Sequence, residues 1–145
     1  MADLSNQLCN ICCVHYDAGL RCCALGTDLT STEGGYLFAK TGGYAWIVAP
    51  AGTKVCRSWY CRNDAITTAE NTSPYCTDWF IPSRTQLMFG IGCRDFWDSI
   101  DTLGYWTDTD NNSGSAPCIC FLTSAYSFTT KSFLRSVRAF RIVSY

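Results

Sequence analysis

The clearest pattern in the chain is a pair of apolar segments separated by a glycine turn. Residues 36–40 and 44–49 are rich in aromatic and branched side chains, and Gly42 and Gly43 lie between them. Continuous apolar segments of this length are typical of strands, and glycine supplies the positive φ that a tight turn requires. The pattern predicts a β-hairpin whose second strand is mostly buried.

Two later segments carry apolar residues at the spacing of an α-helix. Residues 62–70 place small and branched side chains on one face, and Asn63 or Asp64 can cap the first turn. Residues 84–100 follow Ser83, which is a favourable N-cap. Two glycines inside this second segment weaken the helix and can divide it. We therefore predict two helices, the second of them interrupted.

The remainder of the chain is a polar stretch followed by three apolar segments. Residues 102–117 are rich in Gly, Asp, Asn and Ser, which is typical of a loop. Residues 118–122, 125–129 and 133–143 have the composition of strands, and alternation in the last of these predicts one long strand or two. Hairpin, helices, loop and late strands together predict a mixed α+β fold.

Cysteine is the most unusual feature of the composition, with eleven residues among 145. This frequency is typical of a disulfide-bonded protein that works in an oxidising medium. We treat every cysteine as a disulfide candidate: Cys9, Cys12, Cys13, Cys22, Cys23, Cys56, Cys61, Cys76, Cys93, Cys118 and Cys120. Because the count is odd, at least one thiol is free, pairs with another chain or binds a metal.

Residues 1–33 hold five of the eleven cysteines and few aromatic residues. We interpret this segment as a cysteine-rich arm that precedes a domain of residues 34–145. The alternatives for the arm are disulfides, free thiols and a structural zinc site, since Cys and His are zinc ligands. The cysteine spacing around His15 fits no zinc-finger pattern. We therefore expect disulfides, and no metal or cofactor.

Composition and charge disfavour several classes of function. The net charge of -1 offers no bulk electrostatic attraction for nucleic acid. No stretch approaches the roughly 18 apolar residues of a membrane helix, and no secretory signal is visible, so we expect no membrane insertion. His15 is the only histidine. Because proton transfer near neutral pH most often depends on histidine, we predict that the protein is not an enzyme.

Charge is distributed unevenly along the chain. Between Asp64 and Asp110 eight acidic residues accompany two arginines, whereas residues 131–145 contain four basic residues and no acidic one. One interpretation is a polar subunit whose opposite faces meet in an assembly. The other interpretation is that the late basic residues pair internally with those carboxylates.

Five short segments occur in a recognisable order along the chain. They are GGYLF at 34–38, AWIVAP at 45–50, WFIPSRTQL at 79–87, YWTDTD at 105–110 and VRAFRIV at 137–143. This series resembles a domain of phage tail fibres and collagen-like bacterial adhesins that has a C-type-lectin-like fold. Residues 58–70, SWYCRNDAITTAE, look especially like cyanophage fibre proteins. The resemblance covers residues 34–143, roughly three quarters of the chain.

The resemblance implies a C-type-lectin-like fold in which the first and last strands pair. Residues 34–40 and 137–143 are then expected to lie edge to edge, with two helices and a long loop region between them in sequence. Gln86 departs from the family, which has an acidic residue after the proline motif. The cysteine-rich arm has no counterpart in the family.

Aromatic and polar residues near the predicted loop are the candidates for a ligand or receptor surface. Trp59 and Tyr60 can stack on sugar rings, as aromatic platforms do. The loop contributes four further candidates: Asp108, Asp110, Asn111 and Asn112. A second aromatic pair, Tyr105 and Trp106, is expected to belong mostly to the core.

The acidic loop also resembles the start of a calcium-binding loop. Asp108, Asp110 and Asn112 have the alternating spacing of such a loop. The match then fails, because Ile119 stands where a bidentate glutamate belongs. We therefore interpret the segment as a solvated turn without metal.

The resemblance, the cysteines and the absence of an export signal together indicate a virion component of a phage. Such a protein is made in a cytoplasm, released by lysis and oxidised outside the cell. We expect a non-enzymatic tail-fibre or baseplate-associated subunit that contacts other virion proteins, further copies of itself and a host-surface glycan. The alternatives are a capsid cement or head-decoration protein and a cellular sugar-binding adhesin module.

Overall fold

The computed structural model describes residues 19–101, 104–120, 123 and 125–145. The strands are β1 (Asp28–Leu29), β2 (Gly35–Thr41), β3 (Tyr44–Val48), β4 (Val55–Arg57), β5 (Tyr105–Trp106), β6 (Ser115–Ile119), β7 (Tyr126–Thr130), β8 (Arg135–Val137) and β9 (Phe140–Ser144). The α-helices are α1 (Asp64–Thr72) and α2 (Arg84–Gly92), and 3-10 helices span Gly19–Arg21, Ala51–Thr53, Trp59–Cys61 and Arg94–Phe96. This mixture confirms the predicted α+β class.

The predicted hairpin forms the centre of a four-stranded antiparallel sheet with the order β1-β2-β3-β9. Its turn is made by Gly42 and Gly43, whose φ angles are 55° and 86°. Two successive positive φ angles are the requirement of a tight two-residue hairpin turn, and glycine meets it without a steric penalty. The glycine pair therefore explains why the chain reverses at this point.

The expected pairing of the first and last strands is wrong. β2 has β1 on one side, with Asp28 opposite Tyr36, and β3 on the other, with Leu37 opposite Ile47. Since both of its edges are occupied, β2 cannot pair with β9. β9 instead pairs with the outer edge of β3, so one strand separates segments 34–40 and 137–143.

The second sheet has five strands in the order β4-β8-β5-β6-β7. β5 and β8 are parallel, and the other neighbours are antiparallel. The apolar segment 133–143 is thus two strands in different sheets. The predicted loop 102–117 is shorter than expected, because Trp106 and Ala116 are buried and their segments enter this sheet.

The end of the predicted arm contacts the four-stranded sheet. The amide of Gly26 donates to the carbonyl of Leu37 at 2.7 Å, and the amide of Leu37 donates to the carbonyl of Thr27 at 3.1 Å. Residues 26–33 are therefore tied to the domain through β1 and these bonds. The boundary between an arm and a domain at residue 34 stays a prediction.

Both predicted helices form, but the second is shorter than expected. Asn63 is the N-cap of α1, although its side chain makes no capping hydrogen bond. Ser83 caps α2 with a complete capping box, in which Ser83 and Gln86 each bond the other's backbone amide. α2 ends at Gly92 rather than continuing to Ile100, consistent with the low helix propensity of glycine.

The core lies on both faces of the four-stranded sheet and under the five-stranded one. Leu37 and Phe38 are adjacent and fully buried, because successive side chains of a strand point to opposite faces. The Phe38 face packs with Leu87 of α2, and the Leu37 face packs with Ala69 of α1. A third cluster around Trp106 belongs to the five-stranded sheet.

The packing of α2 on β9 predicts different effects of alanine substitution at two glycines in one helix. A Cβ at Gly90 would lie 2.7 Å from Cζ of Phe140, whereas a Cβ at Gly92 would meet nothing within 4 Å. We expect Gly90→Ala to lower the free energy of unfolding by roughly 1–3 kcal/mol through overpacking. Gly92→Ala is the matched control and is expected to be neutral or to stabilise by up to about 1 kcal/mol.

Urea-induced unfolding followed by tryptophan fluorescence measures both changes. Equal destabilisation by the two alanines would contradict the described contact between Gly90 and Phe140.

Candidate ligand-binding surface

A short 3-10 helix positions the first two candidate residues, Trp59 and Tyr60. Trp59 is buried, with 8% of its surface exposed, and its indole N–H donates to the carbonyl of Thr107 at 2.9 Å. Its backbone amide donates to the carbonyl of Lys131 at 2.8 Å. Trp59 is therefore held between β5 and the end of β7.

Two cationic side chains lie over the indole ring of Trp59. Cζ of Arg62 is 3.7 Å from the ring centroid, and Nζ of Lys131 is 4.3 Å from it. Cations are attracted to the negative face of an aromatic ring, most strongly for tryptophan. The ring is thus already occupied by groups of the chain itself.

The same two cations pair with the two aspartates of the acidic loop. Nε of Arg62 donates to Oδ1 of Asp108 at 2.8 Å, and Nζ of Lys131 lies 2.7 Å from Oδ1 of Asp110. Both carboxylates are about half exposed, whereas the side chain of Lys131 is almost completely buried. The hydrogen bond from Lys131 lowers the pKa of Asp110 below its usual value.

The two asparagines build the loop that follows. Oδ1 of Asn112 accepts hydrogen bonds from the amides of Gly114 and Ser115 at 2.9 and 2.8 Å. The side-chain amide of Asn111 donates to Oγ of Ser115 at 2.8 Å. Asparagine side chains that bond the following backbone in this way stabilise tight turns. Asn112 therefore shapes the loop, and both residues remain exposed.

Tyr60 is the exposed aromatic residue of this region, with 61% of its surface accessible. Its hydroxyl donates to the carbonyl of Ser113 at 3.2 Å, and its ring packs edge-on against Trp59 with the centroids 6.1 Å apart. The ring is therefore oriented and still largely open to solvent.

The structure brings the six candidate residues together, which the sequence alone did not establish. We call the exposed part of this region the Tyr60 surface, and it consists of Tyr60, Asp108, Asp110, Asn111 and Asn112. The expectation that Trp59 is an exposed stacking platform is wrong, because its ring is buried under the side chains of Arg62 and Lys131. It supports the surface from below.

Arg62 and Lys131 are the residues that sequence reasoning missed. The sequence pattern places Arg62 at the start of a helix and Lys131 in the basic C-terminal segment. Lys131 lies 72 positions after Trp59 and 21 after Asp110 in the chain, so no local pattern connects the three. The fold brings Lys131 close to Trp59 and Asp110 because β7 lies beside β6.

The second aromatic pair is part of the core, as expected. Tyr105 and Trp106 are each 1% exposed. The hydroxyl of Tyr105 accepts a hydrogen bond from the amide of Asp101, and the indole of Trp106 donates to the carbonyl of Arg57. Burial raises the pKa of Tyr105. Neither side chain is available to an external ligand.

Free thiols occupy several positions that were predicted as disulfide candidates. They are Cys56, Cys61, Cys76, Cys93 and Cys118. Cys76 and Cys118 are buried in two different core clusters, so they cannot reach each other. Burial raises the pKa of both thiols, and cysteines in such surroundings act as small apolar residues. The structure has no disulfide at these five positions, and cross-linking of the chain in an oxidising medium stays a prediction.

The zinc alternative for the arm involves Cys9, Cys12, Cys13, His15, Cys22 and Cys23, and the first four of these lie outside the described residues. Among the residues described, no group of three or more His, Cys, Asp or Glu is placed to hold a metal ion. Nor is any described helix long and apolar enough to span a bilayer.

The late basic residues pair internally, which decides between the two interpretations of the uneven charge. Arg138 bonds Asp98, Arg141 bonds Asp78 and Glu33, and Lys131 bonds Asp110. Three of the four basic residues after position 130 thus meet carboxylates of the same chain. The notion of a subunit with strongly opposed faces is not supported.

No protein-family model matches this chain, and no curated protein matches it.

The contact between Lys131 and Asp110 predicts a pH-dependent contribution to stability. Because the folded-state pKa of Asp110 is lowered, the pair stabilises the protein above the unfolded-state pKa of about 3.9 and loses this effect as the pH falls through the folded-state value. Asp110→Asn should lower the free energy of unfolding at neutral pH and have little effect at strongly acidic pH.

Denaturant unfolding across this pH range measures the difference. The control is Asp110→Asn in a Lys131→Met background, where the difference should depend less on pH, because only the backbone amide of Asn111 and the charge of Arg62 then lower the pKa of Asp110. A difference that stays constant down to strongly acidic pH in the otherwise native chain would contradict the assignment.

Proposed function

We propose that this protein is a non-enzymatic structural component of a phage particle, a tail-fibre or baseplate-associated subunit with a C-type-lectin-like domain. Its role is to assemble with other virion proteins and to recognise a glycan on the host surface. Its location is the virion, with the tail as the first expectation and the capsid surface as the second.

The ordered series of fibre-like segments supports the proposed family. GGYLF and AWIVAP coincide with the hairpin strands β2 and β3. WFIPSRTQL leads into α2, and YWTDTD includes β5 and the start of the acidic loop. These four segments therefore fall on strands, a helix start and a turn, whereas the fifth, VRAFRIV, is divided between β8 and β9 in two sheets.

The single observation that carries glycan recognition is the exposed ring of Tyr60 beside half-exposed carboxylates. Sugar rings present C–H groups that pack on aromatic faces and hydroxyl groups that donate to carboxylates. Tyr60 offers the aromatic face, and Asp108 and Asp110 offer the acceptors. Because each side chain already has a partner within the chain, the surface is held in place before a ligand binds.

Quantitative mass spectrometry of purified particles tests the location. A few to dozens of copies per particle are expected for a tail component, whereas hundreds would indicate a capsid decoration protein. Non-reducing against reducing electrophoresis of the same particles tests covalent linkage by the cysteine-rich arm. Absence from particles would overturn the virion proposal and favour the cellular adhesin.

Glycan-array binding by the isolated full-length chain tests recognition. We expect Tyr60→Ala to reduce the signal by about fivefold, since aromatic stacking contributes of the order of 1 kcal/mol. Tyr75→Ala is the matched control, because Tyr75 is comparably exposed at 57% and bonds the carbonyl of Thr30 far from the acidic loop in sequence. Equal losses in both variants, or no binding by the native chain, would contradict a glycan site at Tyr60.

A further inference from the structure

β7 is an outer strand that is exposed on both of its faces. In the described part of the chain it has β6 as its neighbour on one side, and it ends the five-stranded sheet on the other. Tyr126 and Phe128 share one face, with ring centroids 5.8 Å apart, and Phe128 is 54% exposed. Ser127 and Thr129 carry hydroxyl groups on the opposite face.

The backbone groups of alternate residues in β7 point away from the sheet. The hydroxyl of Thr107 donates to the carbonyl of Pro117. The carbonyl group of Pro117 therefore points toward the β5 side of β6 and away from β7. Its partner in the β6–β7 ladder is Phe128, and hydrogen-bonded and non-bonded pairs alternate along an antiparallel ladder. The amide and carbonyl of Phe128 therefore face outward, as do those of Tyr126.

Further bonds confirm this alternation. The amide of Cys120 donates to the carbonyl of Ala125 at 2.9 Å, and the amide of Lys131 donates to Gly114 at 2.9 Å. These inward bonds lie at the odd-numbered positions of this segment, 125 and 131. The even-numbered positions 126, 128 and 130 are consequently the ones with outward main-chain groups.

Among the residues that the structure describes, the other sheet edges are short or covered, whereas the edge of β7 is neither. β1 has two residues and β4 has three. β9 is mostly half-buried, and its first residue, Phe140, forms a bridge with Phe80. Proteins usually protect a long edge strand with charges, proline or a bulge, and the sequence YSFTT of β7 contains neither a charge nor a proline. An unprotected edge of this kind is a template for another strand.

We propose that two copies of this chain pair through β7, antiparallel and centred on Phe128, so that their five-stranded sheets join into one. This inference deepens the proposed function, since it rests on the expectation that copies of the chain assemble with one another. It specifies the strand and the register that they use.

In this register the outward main-chain groups and the side chains of β7 in one copy match those of β7 in the other. Phe128 lies opposite Phe128 of the second copy, and Tyr126 lies opposite Thr130, so positions with outward main-chain groups meet one another. The aromatic rings then form one continuous row on a single face, an arrangement that stabilises paired strands.

The charges near β7 are compatible with a second copy as the occupant. No residue of β7 is charged, so pairing brings no like charges directly opposite each other. The next residue, Lys131, is buried and bonded to Asp110, and Arg84 is stacked on the ring of Tyr126 with Cζ 4.5 Å from the centroid. The charge of Lys131 is thus paired with a carboxylate, and Arg84 lies over Tyr126, two residues away from the proposed centre at Phe128.

Sedimentation velocity of the full-length chain under reducing conditions tests the proposal without interference from disulfides. We expect a concentration-dependent equilibrium of monomer and dimer. Phe128→Lys places two like charges opposite each other and should weaken dimerisation by about tenfold or more. Tyr44→Lys is the matched control, because Tyr44 is an aromatic residue with 51% exposure on a strand of the other sheet. It should leave the dimer intact.

A monomer at every concentration, or equal weakening by both lysines, would overturn the proposal. Photo-crosslinking from a benzoylphenylalanine at position 128 gives an answer even if Phe128→Lys fails to fold. A cross-link to residues 126–130 of a second copy supports the register, and a cross-link to any other segment overturns it. These measurements use the isolated chain and identify the linked peptide, so they test pairing through β7 alone. Copy number in particles tests the virion location separately, and either proposal can fail without the other.

Discussion

The buried guanidinium of Arg138 joins the two sheets at the point where the chain passes from one to the other. β8 ends at Val137 in the five-stranded sheet, and β9 begins at Phe140 in the four-stranded sheet. Between them, Arg138 donates to the carbonyls of Ala49 at 2.7 Å and Ser99 at 2.6 Å, and it also bonds Asp98. A buried cation is tolerated only when its donors are satisfied in this way. The chain can therefore change sheets within two residues because these acceptors are in place.

Lys131 connects the two surfaces to which we assign a role. It follows β7 directly, and its side chain reaches Trp59 and Asp110 beneath the Tyr60 surface. Pairing of two chains through β7 would consequently hold two Tyr60 surfaces at a constant separation. Weak sites presented together in this way bind a multivalent target, such as a cell surface, more strongly than each does alone. The proposed dimer and the proposed glycan recognition would thus support each other.

Local sequence patterns predicted much of the fold because the elements concerned are stabilised within themselves. Gly42 and Gly43 have the conformations that a hairpin turn needs, and the Ser83 and Gln86 side chains bond backbone amides three residues apart. The resemblance to lectin-like domains misled at the terminal strands. The last strand was expected to pair with β2 on the edge that the hairpin partner leaves open, but β1 lies on that edge. No pattern within residues 28–29 predicts this strand.

By itself, the sequence determined the α+β class, the hairpin, the starts of both helices and the location of the acidic turn. The tertiary structure alone decided that Trp59 is buried while Tyr60 is exposed to solvent, and that Lys131 forms an ion pair with Asp110 of the acidic loop. The physical reason is distance along the chain. A turn or a cap depends on residues that are neighbours in sequence, whereas burial, ion pairing and the free edge of a sheet depend on which distant segments the folded backbone brings together.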